Sequence, residues 1–180
     1  MVYIILGQGF EEIEAISPCD ILRRGGVAVS FAAVGSSISV TGSHGITLMS
    51  DVFFKDISPC SDDMIVIPGG MGGVNSIKED ATVMRIITDA AKVGASFGAI
   101  CAGPSVLAEL HLIDGKSITC YPGCESIMGR ALCNCDNETI IDGKLITGRA
   151  PGSAIDFGLK LLAFFKGNTL TEKIRTELVY

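Results

Sequence analysis

Short, largely apolar runs alternate along this chain with stretches whose apolar residues recur every three or four positions. Residues 2–6, 28–34, 64–67 and 96–100 are runs of the first kind. They predict strands buried on both faces, as in a parallel sheet covered by helices. Residues 10–24, 81–92, 105–110, 153–165 and 171–178 predict helices. In the first helix Ile13, Ile16, Ile21 and Leu22 supply the apolar positions. Glu11, Glu12 and Glu14 fall in its first turn and Arg23 and Arg24 in its last, as the helix dipole favours. Pro18 predicts a kink or a tolerated bend, and Gly25-Gly26 an end. Residues 38–41 and 46–49 alternate and predict a hairpin around Gly42-Ser43-His44-Gly45. Later strands are predicted at 117–119, 139–141 and 145–147, with Asp142-Gly143 turning between the last two.

Strands alternating with helices predict an α/β fold, a mostly parallel sheet with helices on both faces. The length suits one domain over residues 1–180, and no repeat, low-complexity tract or linker interrupts it. In such sheets ligands bind beyond the carboxyl ends of the strands. Three loops are of that kind, residues 7–10, 68–73 and 101–104. If their strands are neighbours, the loops converge on one pocket.

Composition narrows the function classes. The chain is 48% hydrophobic with a mean hydropathy of +0.47, ample for a large core. A net charge of −6 without a basic run argues against nucleic acid and anionic membranes as partners. No apolar stretch reaches membrane-spanning length. The N-terminus lacks a basic region and reads as a strand, not a secretion signal. Seven cysteines without such a signal predict reduced thiols and a cytoplasmic location. Cys120, Cys124, Cys133 and Cys135 are separated by three, eight and one residues, unlike a zinc knuckle, so no metal is expected. No Walker loop follows a strand, and no GxGxxG follows the first one, so no nucleotide cofactor is expected.

The chemistry concentrates at Gly98-Ala99-Ile100-Cys101-Ala102-Gly103-Pro104. An apolar strand ends there at a cysteine, and a helix starts a few residues on. Such an elbow lifts a nucleophile out of the sheet, and nearby helix N–H groups are expected to favour its thiolate. Any of Glu11, Glu12 and Glu14 could serve as a proton-holding partner or merely complement the helix dipole. Pro68-Gly69-Gly70 offers unobstructed N–H groups, suited to an oxyanion hole or to a plain turn. His111 follows the elbow helix and His44 sits at a hairpin tip, so no Cys–His pair is evident.

Val66-Ile67-Pro68-Gly69-Gly70, the cysteine elbow and Ala150-Pro151-Gly152-Ser153-Ala154-Ile155-Asp156-Phe157 occur in an order that resembles the ThiJ/PfpI superfamily. With Gly9-Phe10-Glu11-Glu12-Ile13-Glu14, the branch it most resembles is that of the parkinsonism-associated deglycase and its bacterial chaperone relatives. The resemblance implies a flavodoxin-like three-layer sandwich that forms homodimers. It implies that Cys101 is the reactive, oxidation-sensitive cysteine and Glu14 the protonated glutamate against its sulfur. Gly69, Gly70 and Ala102 would line the site with backbone N–H groups. Arg24 and His44 would lie near an anion region on the dimer side. The implied substrates are small reactive carbonyls or glycated amines, handled without a cofactor. The alternative is a non-enzymatic oxidative-stress sensor or redox-regulated chaperone working through oxidation of Cys101. Ala102 stands where the intracellular protease branch carries histidine, which disfavours peptidase activity. Tyr121 stands where many deglycase and glyoxalase-like members carry histidine, and tyrosine is a poor base near neutral pH.

Overall fold

The computed structural model describes residues 1–180. Seven strands form one central sheet: β1 (Val2–Leu6), β2 (Val29–Ala33), β5 (Val52–Phe53), β6 (Met64–Ile67), β7 (Ser96–Ile100), β10 (Thr139–Asp142) and β11 (Leu145–Gly148). Their spatial order is β10-β11-β7-β6-β1-β2-β5. All neighbours are parallel except the edge pair β10–β11, a hairpin closed at Asp142-Gly143. Strands β3 (Ser39–Thr41) and β4 (Thr47–Met49) form a separate antiparallel hairpin, and β8 (Ser117–Ile118) and β9 (Leu132–Cys133) a short parallel pair.

Side-chain alternation along the strands divides the core in two. Val2, Ile4 and Leu6 of β1, with Met64 and Val66 of β6, face helices α1 (Glu12–Arg24), α5 (Ala154–Lys166) and α6 (Asn168–Glu177). Ile5, Ile65 and Ile67 point the other way, onto α2 (Met71–Glu79), α3 (Ala81–Lys92) and α4 (Pro104–Glu109). The result is the three-layer sandwich that continuous apolar strands require. The helix over Glu12–Arg24 runs through Pro18 without interruption. On the facing helix Gly158 is a buried glycine, and a Cβ there would stand 3.0 Å from Pro18 Cα and 2.8 Å from Ile21 Cδ1. No helix is long and apolar enough to cross a membrane.

Three elements, α2, β5 and β9, are absent from the sequence expectation. The tract 68–73 is not all loop, since α2 begins at Met71 with Gly70 as its N-cap. Met71-Gly72-Gly73 is a poor helix opening by propensity. Tertiary packing overrides propensity here: a Cβ on Gly73 would lie 2.8 Å from Phe10 Cα, so the close approach of the first loop demands glycine. The two-residue strand β5 carries too little pattern to be legible; it is held by its pairing with Ala32 and Ala33.

Candidate functional site

The sheet order places β1, β6 and β7 side by side, so the loops after them meet. They meet as a close-packed corner. A Cβ on Gly69 would fall 2.6 Å from Glu14 Oε2 and 3.0 Å from Cys101 Sγ. Gly69 is thus the narrow floor between a carboxyl from α1 and a thiol from the β7 elbow. Gly70 adopts φ +81°, a left-handed conformation that leaves glycine unstrained, and no backbone carbonyl accepts from its N–H.

Cys101 is held at φ 63°, where a residue with a Cβ is strained. Both of its backbone groups are tied down. Its N–H donates to the Gly148 carbonyl at 2.9 Å, and its carbonyl accepts from the Tyr121 N–H at 3.1 Å. These bonds fix the elbow while the side chain stays half-buried.

The three adjacent glutamates have three separate tasks. Glu11 caps α1, its Oε2 accepting from the Glu14 N–H at 2.8 Å. Glu12 clips the β3–β4 hairpin to the helix, accepting from the His44 N–H at 2.7 Å and meeting His44 Nδ1 at 2.8 Å. Burial pushes the Glu12 carboxyl up, but the His44 ring and the N–H groups of His44 and Ile46 outweigh it and hold the pKa at about 2. Only Glu14, fully buried, turns toward the elbow. Its Oε2 accepts from the Gly69 N–H at 2.6 Å, and its Oε1 has no hydrogen-bond partner. Burial raises its pKa to about 7; the Gly69 N–H and the Cys101 side chain pull it down, and the charge of Glu11 raises it. A buried carboxyl oxygen with no donor is the arrangement a protonated acid tolerates.

The thiol departs from the sequence expectation of a lowered pKa. Burial, then the charge and hydrogen bond of Glu14, push the Cys101 thiol well up, against the single N–H of Ala102. The helix after the elbow has only six residues and starts at Pro104, three positions beyond the sulfur, so its dipole adds little. Cys101 and Glu14 therefore titrate as a pair. Below pH about 7 both are protonated; above it the pair holds a single proton, which the raised thiol retains.

The structure does not bring the remaining candidates together with this pair. His44 is bound to Glu12, and Arg24 pairs with Asp20 at the opposite end of α1 at 2.7 Å. His111 pairs with Asp114 at 3.3 Å. Tyr121 contacts the elbow through its backbone, with its side chain exposed. After burial, Glu14 is the group that bears most on the Cys101 sulfur, with Cys124 a weaker neighbouring influence. Cys124 is a neighbour that sequence reasoning missed, and only the Tyr121–Cys124 turn reveals it.

Residues 1–164 match the model of the DJ-1/PfpI family. The chain is 33% identical over 177 residues to protein dj-1beta of Drosophila melanogaster, covering 98% of this chain and 95% of that one. It is 33% identical over 169 residues to the glutathione-independent glyoxalase DJR-1.2 of Caenorhabditis elegans, covering 93% of this chain and 89% of that one. Among solved structures, Drosophila melanogaster DJ-1beta superposes with a TM-score of 0.90 at 31% identity, over 99% of this chain and 96% of that one. Oxidized Toxoplasma gondii DJ-1 superposes with a TM-score of 0.89 at 29% identity, over 99% and 97%.

Proposed function

Because this chain belongs to the DJ-1/PfpI family, we propose that it is a stress-response protein in which Cys101 acts on small reactive carbonyls, in the manner of a glyoxalase or deglycase. One observation carries the reading: a strained elbow thiol faces a buried carboxyl whose pKa lies at about 7, so that carboxyl can both take and give a proton at physiological pH. The glyoxalase name of the Caenorhabditis elegans relative supports the substrate class.

With methylglyoxal the steps balance as an internal redox reaction. The Cys101 sulfur adds to the aldehyde carbon, and the carbonyl oxygen takes a proton from Glu14. The Ala102 N–H and the unused Gly70 N–H support the developing oxyanion. Glu14 then carries the proton from the former aldehyde carbon to the neighbouring carbon, and the hydroxyl proton of the first passes to the oxygen of the second, leaving a lactoyl thioester on Cys101. Water cleaves the thioester, releasing lactate and restoring the thiol. For an early glycation adduct, the sulfur replaces the amine on the former aldehyde carbon: the C–S bond forms as the C–N bond breaks, the amine leaves with a proton from Glu14, and the remaining steps are the same.

The discriminating experiment is lactate formation from methylglyoxal by the purified protein, set beside mass spectrometry after mild peroxide. Lactate release supports catalysis. Its absence, with oxygen added first at Cys101, supports the second reading, a sensor oxidised at this sulfur. The absence of a histidine beside the thiol favours that second reading, since Glu14 alone must move every proton. Gly69→Ala is expected to separate carboxyl from thiol and lower Cys101 reactivity about 10²-fold, the scale of a ~1 Å misplacement. Alkylation kinetics, with circular dichroism to confirm folding, check this.

We assign self-association of the chain to the exposed Ile13 and Ile16 of α1 and the adjoining Ile46 and Met49 of the hairpin. Light scattering is expected to give about twice the 18.8 kDa chain mass. Ile46→Glu is expected to return it to one chain, and an unchanged mass for the variant would refute the assignment.

A further inference from the structure

The surplus thiols are not scattered. Cys120 follows β8 and Cys135 follows β9, and these strands pair in parallel with Ile118 opposite Cys133. The Asn134 N–H donates to the Ile118 carbonyl at 2.9 Å, so the pairing continues past the strand ends. Two residues further on, Cys120 and Cys135 are opposite one another. Neighbouring strands lie about 4.8 Å apart, inside the Cα separation of about 4.4–6.8 Å that a disulfide spans. Their sulfurs are already 3.7 Å apart.

We propose that Cys120 and Cys135 are a redox-active dithiol that closes to an intramolecular disulfide when hydrogen peroxide oxidises Cys135. Cys135 is the half-buried partner that solvent reaches, whereas Cys120 is fully buried. The Cys135 thiol donates to Glu125 Oε1 at 3.4 Å, so a carboxylate stands ready to take its proton. The Cys135 sulfur attacks the peroxide, an S–O bond forms as the O–O bond breaks, and one water leaves. The Cys120 sulfur then displaces that oxygen, an S–S bond forms, and the hydroxyl departs with the Cys120 proton as a second water. Two thiols lose two electrons and two protons, and the peroxide is reduced to two waters. Closure needs about 1.6 Å of sulfur movement to reach the ~2.05 Å bond length. Cys120 immediately precedes Tyr121, whose N–H holds the Cys101 carbonyl, so the dithiol adjoins the elbow without depending on its chemistry.

Trypsin cleaves after Lys116, Arg130 and Lys144, which places Cys120 and Cys135 on different peptides, 117–130 and 131–144. The full chain is treated with hydrogen peroxide, its remaining thiols are blocked, and it is digested without reductant. The expected product is a cross-link between these peptides, removed by dithiothreitol, with fragment ions placing it on Cys120 and Cys135. It should persist in Cys101→Ser and Cys133→Ser and vanish in Cys135→Ser, a partly exposed and therefore conservative change. Cys120→Ser should also lose it, if that variant folds. A link placed on Cys124 or Cys133, a link only between different chains, or no link at all would overturn the proposal.

Discussion

Glu14→Gln is expected to make the protein more stable at pH 8 than the parent while changing its stability much less at pH 5. The native carboxyl keeps its proton up to about 7, whereas the unfolded one releases it near 4.5. Between those values the native state binds the extra proton, so the stability of the parent falls as pH rises through this window. A shift of that size corresponds to at most roughly 3 kcal/mol, fully expressed above pH about 7. Glutamine does not titrate, so the difference between variant and parent should grow with pH across the window. Urea unfolding at the two pH values measures it, and a pH-independent difference would show that Glu14 ionises normally.

The same substitution should change the pH profile of Cys101. In the parent, alkylation should accelerate up to pH about 7 and then flatten, because above that point the pair shares a single proton. In Glu14→Gln the plateau should vanish and the rate should keep climbing as an isolated buried thiol. Methylglyoxal turnover should fall about 10²–10⁴-fold, the usual contribution of a positioned acid–base group.

Cys101→Ser should have the largest effect on chemistry. Its hydroxyl ionises far less readily and has no base other than Glu14 to activate it. Lactate formation is expected to fall by about 10³–10⁶-fold, the scale for losing a nucleophile. The peptide carrying residue 101 should also no longer gain two oxygens after peroxide. The remaining six cysteines stay as an internal control. Lactate release that survives the substitution would remove Cys101 from the reaction, and first oxidation at another thiol would remove it from sensing.

Much of this architecture was legible in one dimension. The largely apolar strands at 2–6, 64–67 and 96–100 could be satisfied only between two helical layers, and the structure places them so. The cysteine elbow was legible for the same reason: a buried strand must turn sharply to start a helix, and Cys101 occupies the turn with φ 63°. Helix α2 was hidden because its opening glycines answer to the loop packed on them and not to helix propensity. Glu11, Glu12 and Glu14 were equivalent as first-turn acids.

Local patterning therefore determined the layers, the elbow and the identity of its thiol, because hydrophobic periodicity and chain reversal act over a few residues. Long-range packing decided the rest. It selected Glu14 from three acids by burying it across Gly69 from Cys101, and it raised rather than lowered the thiol pKa by burying the sulfur and then placing that acid beside it. It also set Cys120 opposite Cys135 across fifteen positions of sequence. Desolvation and charge coupling depend on which segments meet, and only the folded sheet order brings them together.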